Sequence, residues 1–289
     1  MNETPSSRVR LRVLTPDDIP FAAALNAQIG WNQTQKDWRG YLEFAPGGCF
    51  LAEVEGVPVG TATTLSYEGS VGWIGMVLVD GNHRRLGIGT TLLQHCIRYL
   101  TQQGISSIKL DATPMGRKVY LPLGFRDEYD VSRYEGLAPA VSPVDVAVEP
   151  LTHDLLSAVA AFDRSAFGSK RVDVLRSLSV RDQGYSLVVK EGGQIFGYLI
   201  AREGREAVQV GPCVAKDAVT ARALLWTLLS KVVGRRVFLD VPAPNGAAVE
   251  AVTQLGFKVQ RGFSRMYLGN NPRPGQPEMI FATSGAEKG

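Results

Sequence analysis

Apolar and polar positions along the chain mark out a strand, a helix and a second strand between residues 73 and 111. Residues 73–79 form a nearly continuous apolar run of strand length, which is typical of a buried strand. Apolar residues then recur at helical spacing from Leu86 to about Leu100, and a further strand is expected over residues 107–111. The most informative stretch of the sequence joins the first strand to the helix.

This turn is rich in arginine and glycine, because residues 84–89 read Arg-Arg-Leu-Gly-Ile-Gly. The two glycines allow a tight turn and bring backbone N–H groups close to a bound anion. The first turn of the following helix adds unpaired N–H groups and the positive end of the helix dipole. Arg84 adds a charge whose shape suits a phosphate. The turn therefore predicts a phosphate-binding site.

The second half of the chain repeats the first at a constant offset of 132 residues. Leu-Gly-Phe at residues 123–125 recurs at 255–257, and Ser-Arg at 132–133 recurs at 264–265. Such self-similarity indicates two copies of one fold, with a boundary near residues 139–143. The predicted units are an N-terminal domain at 8–138, a C-terminal domain at 144–269 and a C-terminal tail at 270–289.

The phosphate-binding turn is lost in the second copy. Both glycines are replaced there by residues with a Cβ atom, which prevents the close backbone approach that an anion needs. The second copy also has Val252 where the first has Tyr120. We expect it to cover and shape the substrate side of the first domain, or only to add buried area or a dimer surface. The corresponding positions in the turn are Arg84 and Lys216, Gly87 and Val219, and Gly89 and Ala221.

Composition and charge narrow the range of functions. The chain has 289 residues, of which 45% are hydrophobic and 20% charged, as in globular proteins with a substantial core. The net charge is only +3 and no basic block is present, so we expect no nucleic-acid partner. The cysteines and histidines are isolated, which favours reduced thiols and disfavours a metal site. Without a membrane span or a signal-peptide core, the expected location is cytoplasmic.

The phosphate-binding turn is followed about thirty residues later by Tyr-x-x-x-Gly-Phe at residues 120–125. This combination resembles the GNAT superfamily of acyl-CoA-dependent N-acyltransferases over residues 8–136. With the repeat, and with Ser-Arg-Met-Tyr at residues 264–267, the chain is similar to tandem bacterial GNAT proteins that have an active N-terminal and a degenerate C-terminal copy. The resemblance implies an α+β fold with two tandem GNAT domains, each a central mixed, splayed β-sheet flanked by helices. One departure is Thr113-Pro114, where many GNATs have Asn.

The resemblance implies acyl transfer from acetyl-CoA, as a co-substrate, to an amine. In GNATs the strand before the phosphate turn is splayed, so an unpaired N–H at Leu78 or Val77 would polarise the thioester carbonyl. The N–H groups of residues 86–90, with Arg84 and Arg85, would hold the pyrophosphate. The cofactor-binding residues implied are Val77, Leu78, Val79, Arg84, Arg85, Leu86, Gly87, Ile88, Gly89 and Thr90.

Tyr120 is the residue that the resemblance favours as general acid. A phenol pKa of about 10, against about 8.5 for a thiol, makes it a workable proton source for departing CoA. The alternative is an aromatic side chain that packs against the Leu-Gly-Phe corner. For the base, residues 73–79 contain no Glu, although many GNATs have their base in this strand. Asp111 is the nearest candidate, and it could equally cap the turn that leads to Gly116.

The acceptor contacts are less defined by the sequence. Trp31 could line the acceptor site or belong to the core. Arg164 and Arg171 lie in the matching loop of the second copy and could bind a carboxylate or phosphate, or could be solvated. In the tail, residues 270–277 resemble a linker, 279–282 could add an edge strand or dock across the domain cleft, and 284–289 are expected to be disordered.

The function that these residues predict is transfer of an acetyl group to a primary amine, by direct attack in a ternary complex. The expected acceptor is a small molecule, partly enclosed by the second domain. One alternative is an acetyltransferase for protein N-termini or lysines, which an open groove would favour. Another is a non-catalytic sensor that binds acyl-CoA. No membrane partner is expected, and the oligomeric state stays open.

Overall fold

The computed structural model describes residues 9–142, 144–182, 184–272 and 274–289. Arg8 and Pro143, at the predicted limits of the first domain and the linker, lie outside these ranges. The first half contains β1 (Val9–Val13), α1 (Ile19–Ile29), α2 (Gln35–Phe44), β2 (Cys49–Val54), β3 (Val57–Tyr67), β4 (Val71–Val79), α3 (Ile88–Gln102), β5 (Ser107–Ala112), α4 (Pro114–Tyr120) and β6 (Arg126–Leu137).

The second half repeats this order of strands and helices and then adds one short strand. It contains β7 (Glu149–Pro150), α5 (Leu156–Phe167), α6 (Val172–Ser179), β8 (Ser186–Glu191), β9 (Gln194–Arg202), β10 (Val208–Ala215), α7 (Ala218–Lys231), β11 (Arg236–Pro242), α8 (Gly246–Gln254), β12 (Lys258–Gly269) and β13 (Ile280–Ala282).

Local sequence explains where several helices begin and which face they bury. In α3, Leu92, Cys96 and Leu100 recur every four residues and are buried against the sheet. The Thr113 hydroxyl accepts a hydrogen bond from Gly116 N at 3.1 Å and so caps α4, in place of the Asn that many GNATs have. In the part of the chain that the structure describes, no helix is both long and apolar enough to cross a bilayer.

The two halves share one mixed sheet and exchange their final strands. The order is β1-β2-β3-β4-β5-β12-β6-β11-β10-β9-β8-β7, and β13 pairs with β10 off this path. Strand β12 of the second half therefore lies between β5 and β6 of the first. Strand β6 in turn pairs with β11 of the second half. Neither half completes its sheet with its own strands alone.

Two buried ion pairs join the exchanged strands to the strands beside them. Arg133 on β6 donates to both carboxylate oxygens of Asp240 on β11, at 2.7 and 2.8 Å. Arg265 on β12 makes the same bidentate contact with Asp111 on β5, at 2.8 and 2.9 Å. In each pair the two residues face one another in the strand register. The mixed sheet and its flanking helices confirm the predicted fold class.

Hydrophobic side chains from both halves also share one core. Tyr67 and Trp73 from β3 and β4 are buried together with Phe167 of α5 and Tyr198 of β9. The ring centroids of Tyr67 and Phe167 are 5.0 Å apart in an edge-to-face arrangement. The halves are therefore packed against one another as well as joined through the sheet.

We expect Arg133→Met to lower the free energy of unfolding by about 3–5 kcal/mol, because it leaves the buried Asp240 carboxylate without its partner. The matched control is Arg236→Met, since Arg236 pairs with Glu135 on the same two strands but is 42% exposed. That variant should change stability by less than about 1 kcal/mol. Urea unfolding of both variants measures the difference, and equal effects would contradict the role assigned to the buried pair.

Candidate active site

Strand β4 carries a bulge close to its end. Its register with β3 shifts between Gly75 and Leu78, so β4 has one residue more than its partner there. Within the bulge Met76 has a φ of +51°, a left-handed conformation that is uncommon outside glycine. The Thr61 hydroxyl donates to the Met76 carbonyl at 3.0 Å and holds this conformation. The bulge turns the end of β4 away from a regular ladder.

Strands β4 and β5 diverge from Ile74 onward, before the bulge is reached. The two strands are parallel, and their pairing in the described chain covers only residues 71–73 and 107–109. Residues 74–79 therefore have no strand beside them on the β5 side. This is the predicted splay, and residues 77–79 lie within it.

The N-terminus of α3 lies just beyond the end of β4. Gly87 is its N-cap with a φ of +80°, and no side chain caps this end of the helix. The first N–H groups of the helix therefore have no acceptor within it. Arg85, at a φ of +64°, continues the tight turn, and Arg84 donates from Nε to the Val79 carbonyl at 3.3 Å. Residues 84–87 are exposed, so an anion can reach these donors.

A cavity of about 50 Å³ lies in the gap between β4 and β5. It brings together several of the residues predicted for the site, although they are far apart in the sequence. Within the described residues, no group of three or more His, Cys, Asp or Glu side chains is placed to hold a metal ion. The lining includes Trp31, Met76, Val77, Asp111 and Tyr120, together with Ala286 and Glu287 from the end of the chain.

Tyr120 ends α4 and reaches this cavity. Its ring packs beside Phe125 of the Leu-Gly-Phe corner, with centroids 6.0 Å apart. Burial raises the pKa of the Tyr120 phenol to about 12. The phenol therefore stays protonated across the neutral range and can donate a hydrogen bond into the cavity.

Asp111 also lines the cavity, but Arg265 occupies both of its carboxylate oxygens. Arg265 in turn receives a second contact from the Trp73 ring, 4.8 Å from its guanidinium carbon, and donates to the Tyr129 hydroxyl at 2.7 Å. Burial raises the pKa of Asp111 in spite of the adjacent guanidinium. The turn to Gly116 is capped by Thr113, so the alternative role of Asp111 as the cap of this turn was wrong.

The predicted acceptor residues of the second half lie in different surroundings. Arg171 is buried and donates to both carboxylate oxygens of Asp163, at 2.8 and 2.9 Å. Its guanidinium carbon also lies 3.9 Å from the centroid of the Phe167 ring. Arg164 is half-exposed, with Nε 3.3 Å from a Glu68 carboxylate oxygen, and is not among the residues that line the cavity.

The segment from residue 283 to residue 289 is ordered and buried, so the expectation of a disordered end was wrong. Strand β13 pairs with β10 inside the sheet and is not the predicted edge strand, and the chain then enters the cleft between the two halves. Tyr67 and Trp73 donate hydrogen bonds to backbone carbonyls of Lys288 and Ala286, at 2.9 and 3.0 Å. The composition gave no signal of this, because Gly, Glu and Lys are typical of exposed ends.

The second half has an equivalent gap, but strand β13 fills it. Strands β10 and β11 pair over residues 208–210 and 237–239, and β10 then pairs with β13. The N-terminus of α7 also differs from that of α3, because the Asp217 carboxylate accepts a hydrogen bond from Thr220 N at 2.8 Å. The gap is occupied and the helix end is already capped by an anion.

Comparison with known proteins identifies both halves. Residues 20–125 match the model of the Acetyltransferase (GNAT) family, and residues 159–282 match that of an Acetyltransferase (GNAT) domain. A holothin acyltransferase from Pseudoalteromonas is 24% identical over 260 residues, which are 90% of this chain and 87% of that protein. An uncharacterized N-acetyltransferase, YitH, from Bacillus subtilis is 24% identical over 64% of this chain and 65% of its own length.

Solved structures agree on the fold. One from Pyrococcus horikoshii superposes with a TM-score of 0.84 at 24% identity, over 98% of this chain and 96% of that one. Since the two family matches together cover most of the chain, the protein is an acyltransferase of the GNAT superfamily, with two GNAT domains in tandem.

Proposed function

We propose that the protein transfers an acetyl group from acetyl-CoA to the primary amine of a small molecule, at one site in its N-terminal half. The observation that carries this proposal is the position of the uncapped N-terminus of α3 at the open end of the gap between β4 and β5. An uncapped helix N-terminus binds anions, and the open gap between the strands offers unpaired backbone donors. One extended phosphorylated molecule can therefore contact both.

The residues present suit acetyl-CoA, which supplies the thioester that is attacked. Backbone N–H groups from Leu86 to Thr90 would contact the pyrophosphate, with Arg84 and Arg85 adding charge. The edge of β4 at residues 77–79 would contact the extended arm. An N–H at Leu78 or Val77 would polarise the thioester carbonyl as negative charge develops on its oxygen.

The chemistry is direct attack by the neutral amine on the thioester carbon, followed by loss of the C–S bond. The leaving thiolate would accept a hydrogen bond from Tyr120, which is protonated and lines the cavity. Direct attack needs only that the two reactants lie together. In the described chain the cavity has no carboxylate without a partner, so the amine proton would leave through water.

Two observations favour a single cofactor site. Strand β13 fills the gap of the second half, and Asp217 places a negative charge where the phosphates would lie. The second half would instead border the acceptor space, since Ala286 and Glu287 line the cavity. A cavity that lies between the two halves favours a small acceptor over a protein N-terminus or lysine, which would need an open groove.

We expect titration of acetyl-CoA by calorimetry to give one site per chain. Arg84→Ala/Gly87→Val should weaken binding about a hundredfold or more, because it removes a charge-assisted contact and strains the left-handed position 87. The matched control is Lys216→Ala/Val219→Ala at the equivalent positions of the second half, which should bind as the parent does. Two sites would contradict the degenerate second copy, and no binding would overturn the proposed function.

Tyr120→Phe should lower kcat about 10²–10⁴-fold, with unchanged affinity for acetyl-CoA, because only departure of the thiolate needs the hydroxyl. Tyr99→Phe, on α3, is the control and should keep full activity.

Since burial raises the pKa of Tyr120 to about 12, its ionisation should cause no loss of rate below about pH 11. Steady-state kinetics against pH tests this; an intact kcat in the Phe variant would assign Tyr120 to packing.

Asp111→Asn should lower the free energy of unfolding by about 3–5 kcal/mol, because it leaves the buried Arg265 guanidinium without its partner. The control is Asp127→Asn, whose pair with Arg117 is 41–43% exposed and should contribute less than about 1 kcal/mol. Denaturant unfolding measures both variants. If Asp111→Asn kept its stability and lost kcat, Asp111 would be the base after all.

A further inference from the structure

Residues 283–289, here called the tail segment, lie in the cleft between the halves as a ligand would. Lys288 N and Gly289 N each donate to the Gly285 carbonyl, at 3.1 and 3.0 Å, so the segment is a compact turn. Every one of its residues is buried, and Glu287 and Lys288 are among the few fully buried charged side chains. Burying two charges in a segment of this length is costly unless a built site receives them.

The cleft receives the tail segment mainly through hydrogen-bond donors. Side chains of the surrounding elements donate to oxygen atoms of residues 284–289 at 2.6–3.0 Å. These donors are Gln33 Nε2, Tyr67 OH, Trp73 Nε1, Arg171 Nη1, and Nη1 and Nη2 of Arg202. The cleft is therefore built for a ligand rich in oxygen atoms.

The strongest of these contacts involve charge. Arg202 holds a Glu287 carboxylate oxygen at 2.9 Å, and Arg171 holds the Gly289 backbone oxygen at 2.6 Å. At the other side of the cleft, the Lys288 ammonium lies 3.5 Å from Asp37 Oδ1 and 3.2 Å from the Tyr41 hydroxyl. The two side chains also pair with one another, because Lys288 Nζ donates to Glu287 Oε1 at 2.6 Å. The tail segment thus offers a paired carboxylate and ammonium, and the cleft adds a counter-group to each.

The tail segment also closes the space in which the acceptor amine must lie. Its residues Ala286 and Glu287 line the cavity beside Tyr120. A Cβ atom added to Gly75 of β4 would lie 2.8 Å from the Glu287 backbone oxygen, so the segment is packed directly against the bulged strand. The cavity that is left, about 50 Å³, has room for a few water molecules and not for an amine with a carbon skeleton.

We propose that the cleft holding residues 283–289 is the acceptor site, and that its acceptor is a small amine that also carries a carboxylate, such as an amino acid. The tail segment occupies this site as an internal ligand and leaves when the acceptor binds. Arg202 and Arg171 then bind the acceptor's carboxylate, and its amine lies beside Tyr120. This inference rests on the proposed function and adds the substrate class.

An internal ligand and a fixed wall predict opposite effects of weakening the tail segment. If it competes with the acceptor, the apparent affinity is the intrinsic affinity reduced by the fraction of molecules with an open cleft. Weakening the segment then strengthens acceptor binding. If the segment is a permanent wall of the acceptor pocket, the same change weakens binding.

The experiment compares full-length Glu287→Gln, which removes the carboxylate charge held by Arg202 and Lys288, with the parent chain. Glu278→Gln is the matched control, because Glu278 is exposed and lies just before β13. The probes are 4-aminobutyrate and butylamine, which differ in the carboxylate, each with acetyl-CoA bound. Hydrogen exchange at residues 284–289 reports whether the tail segment leaves.

We expect 4-aminobutyrate to deprotect the tail segment and butylamine to leave it protected. Glu287→Gln should lower the apparent Kd for 4-aminobutyrate about tenfold or more, as loss of a charged hydrogen bond allows, and Glu278→Gln should not. Lys288→Met, which removes the ammonium at Asp37, should act in the same direction.

A tail segment that stays protected with both probes, or weaker binding in both tail variants, would overturn the inference. Acetyl-CoA titration of the same samples separates this from failure of the proposed function, because cofactor binding would then be intact.

Discussion

Two buried arginine–aspartate pairs hold the architecture together, one at each exchanged strand. Arg265 binds Asp111 and Arg133 binds Asp240, in each case across neighbouring strands that belong to different halves. A bidentate pair fixes both distance and direction, so it sets the register in which the strands meet. Because β12 lies beside β5 in that register, Arg265 of the second half holds Asp111, which lines the cavity. The cavity is therefore formed by both halves of the chain.

The two halves start from the same plan and differ in what fills the gap beside their bulged strand. In the first half the gap stays open as far as the N-terminus of α3, and no side chain caps that helix. In the second half β13 fills the gap, and Asp217 satisfies the start of α7. The same backbone geometry thus exposes donors in one half and consumes them in the other. The difference depends on a few side chains and on where the end of the chain lies.

Much of the architecture was accessible from the sequence because it depends on local patterns. The apolar run of β4, the helical spacing of α3 and the glycines between them are short-range signals, and the repeat revealed the second domain. The exchange of strands was not accessible, because β6 and β12 have similar patterns and either would suit either neighbour. Arg265, the partner of Asp111, is 154 residues away, so the sequence around Asp111 did not indicate the pair. The recurring Ser-Arg at residues 132–133 and 264–265 was the available clue, since both arginines make the buried pairs.

The end of the chain escaped prediction for a different reason. Its glycine-rich, charged composition is typical of a segment exposed to solvent. Only the hydrogen-bond donors and charged side chains of the cleft allow it to be buried. Strand β13 ends at Ala282, directly before the tail segment begins at Thr283. A ligand on so short a tether has an effective concentration in the millimolar range, whatever its intrinsic affinity. If the tail segment competes for the acceptor site, that tether sets a threshold concentration of acceptor. Below this concentration the tail segment would occupy the site and the rate would be low, and above it the acceptor would displace the segment.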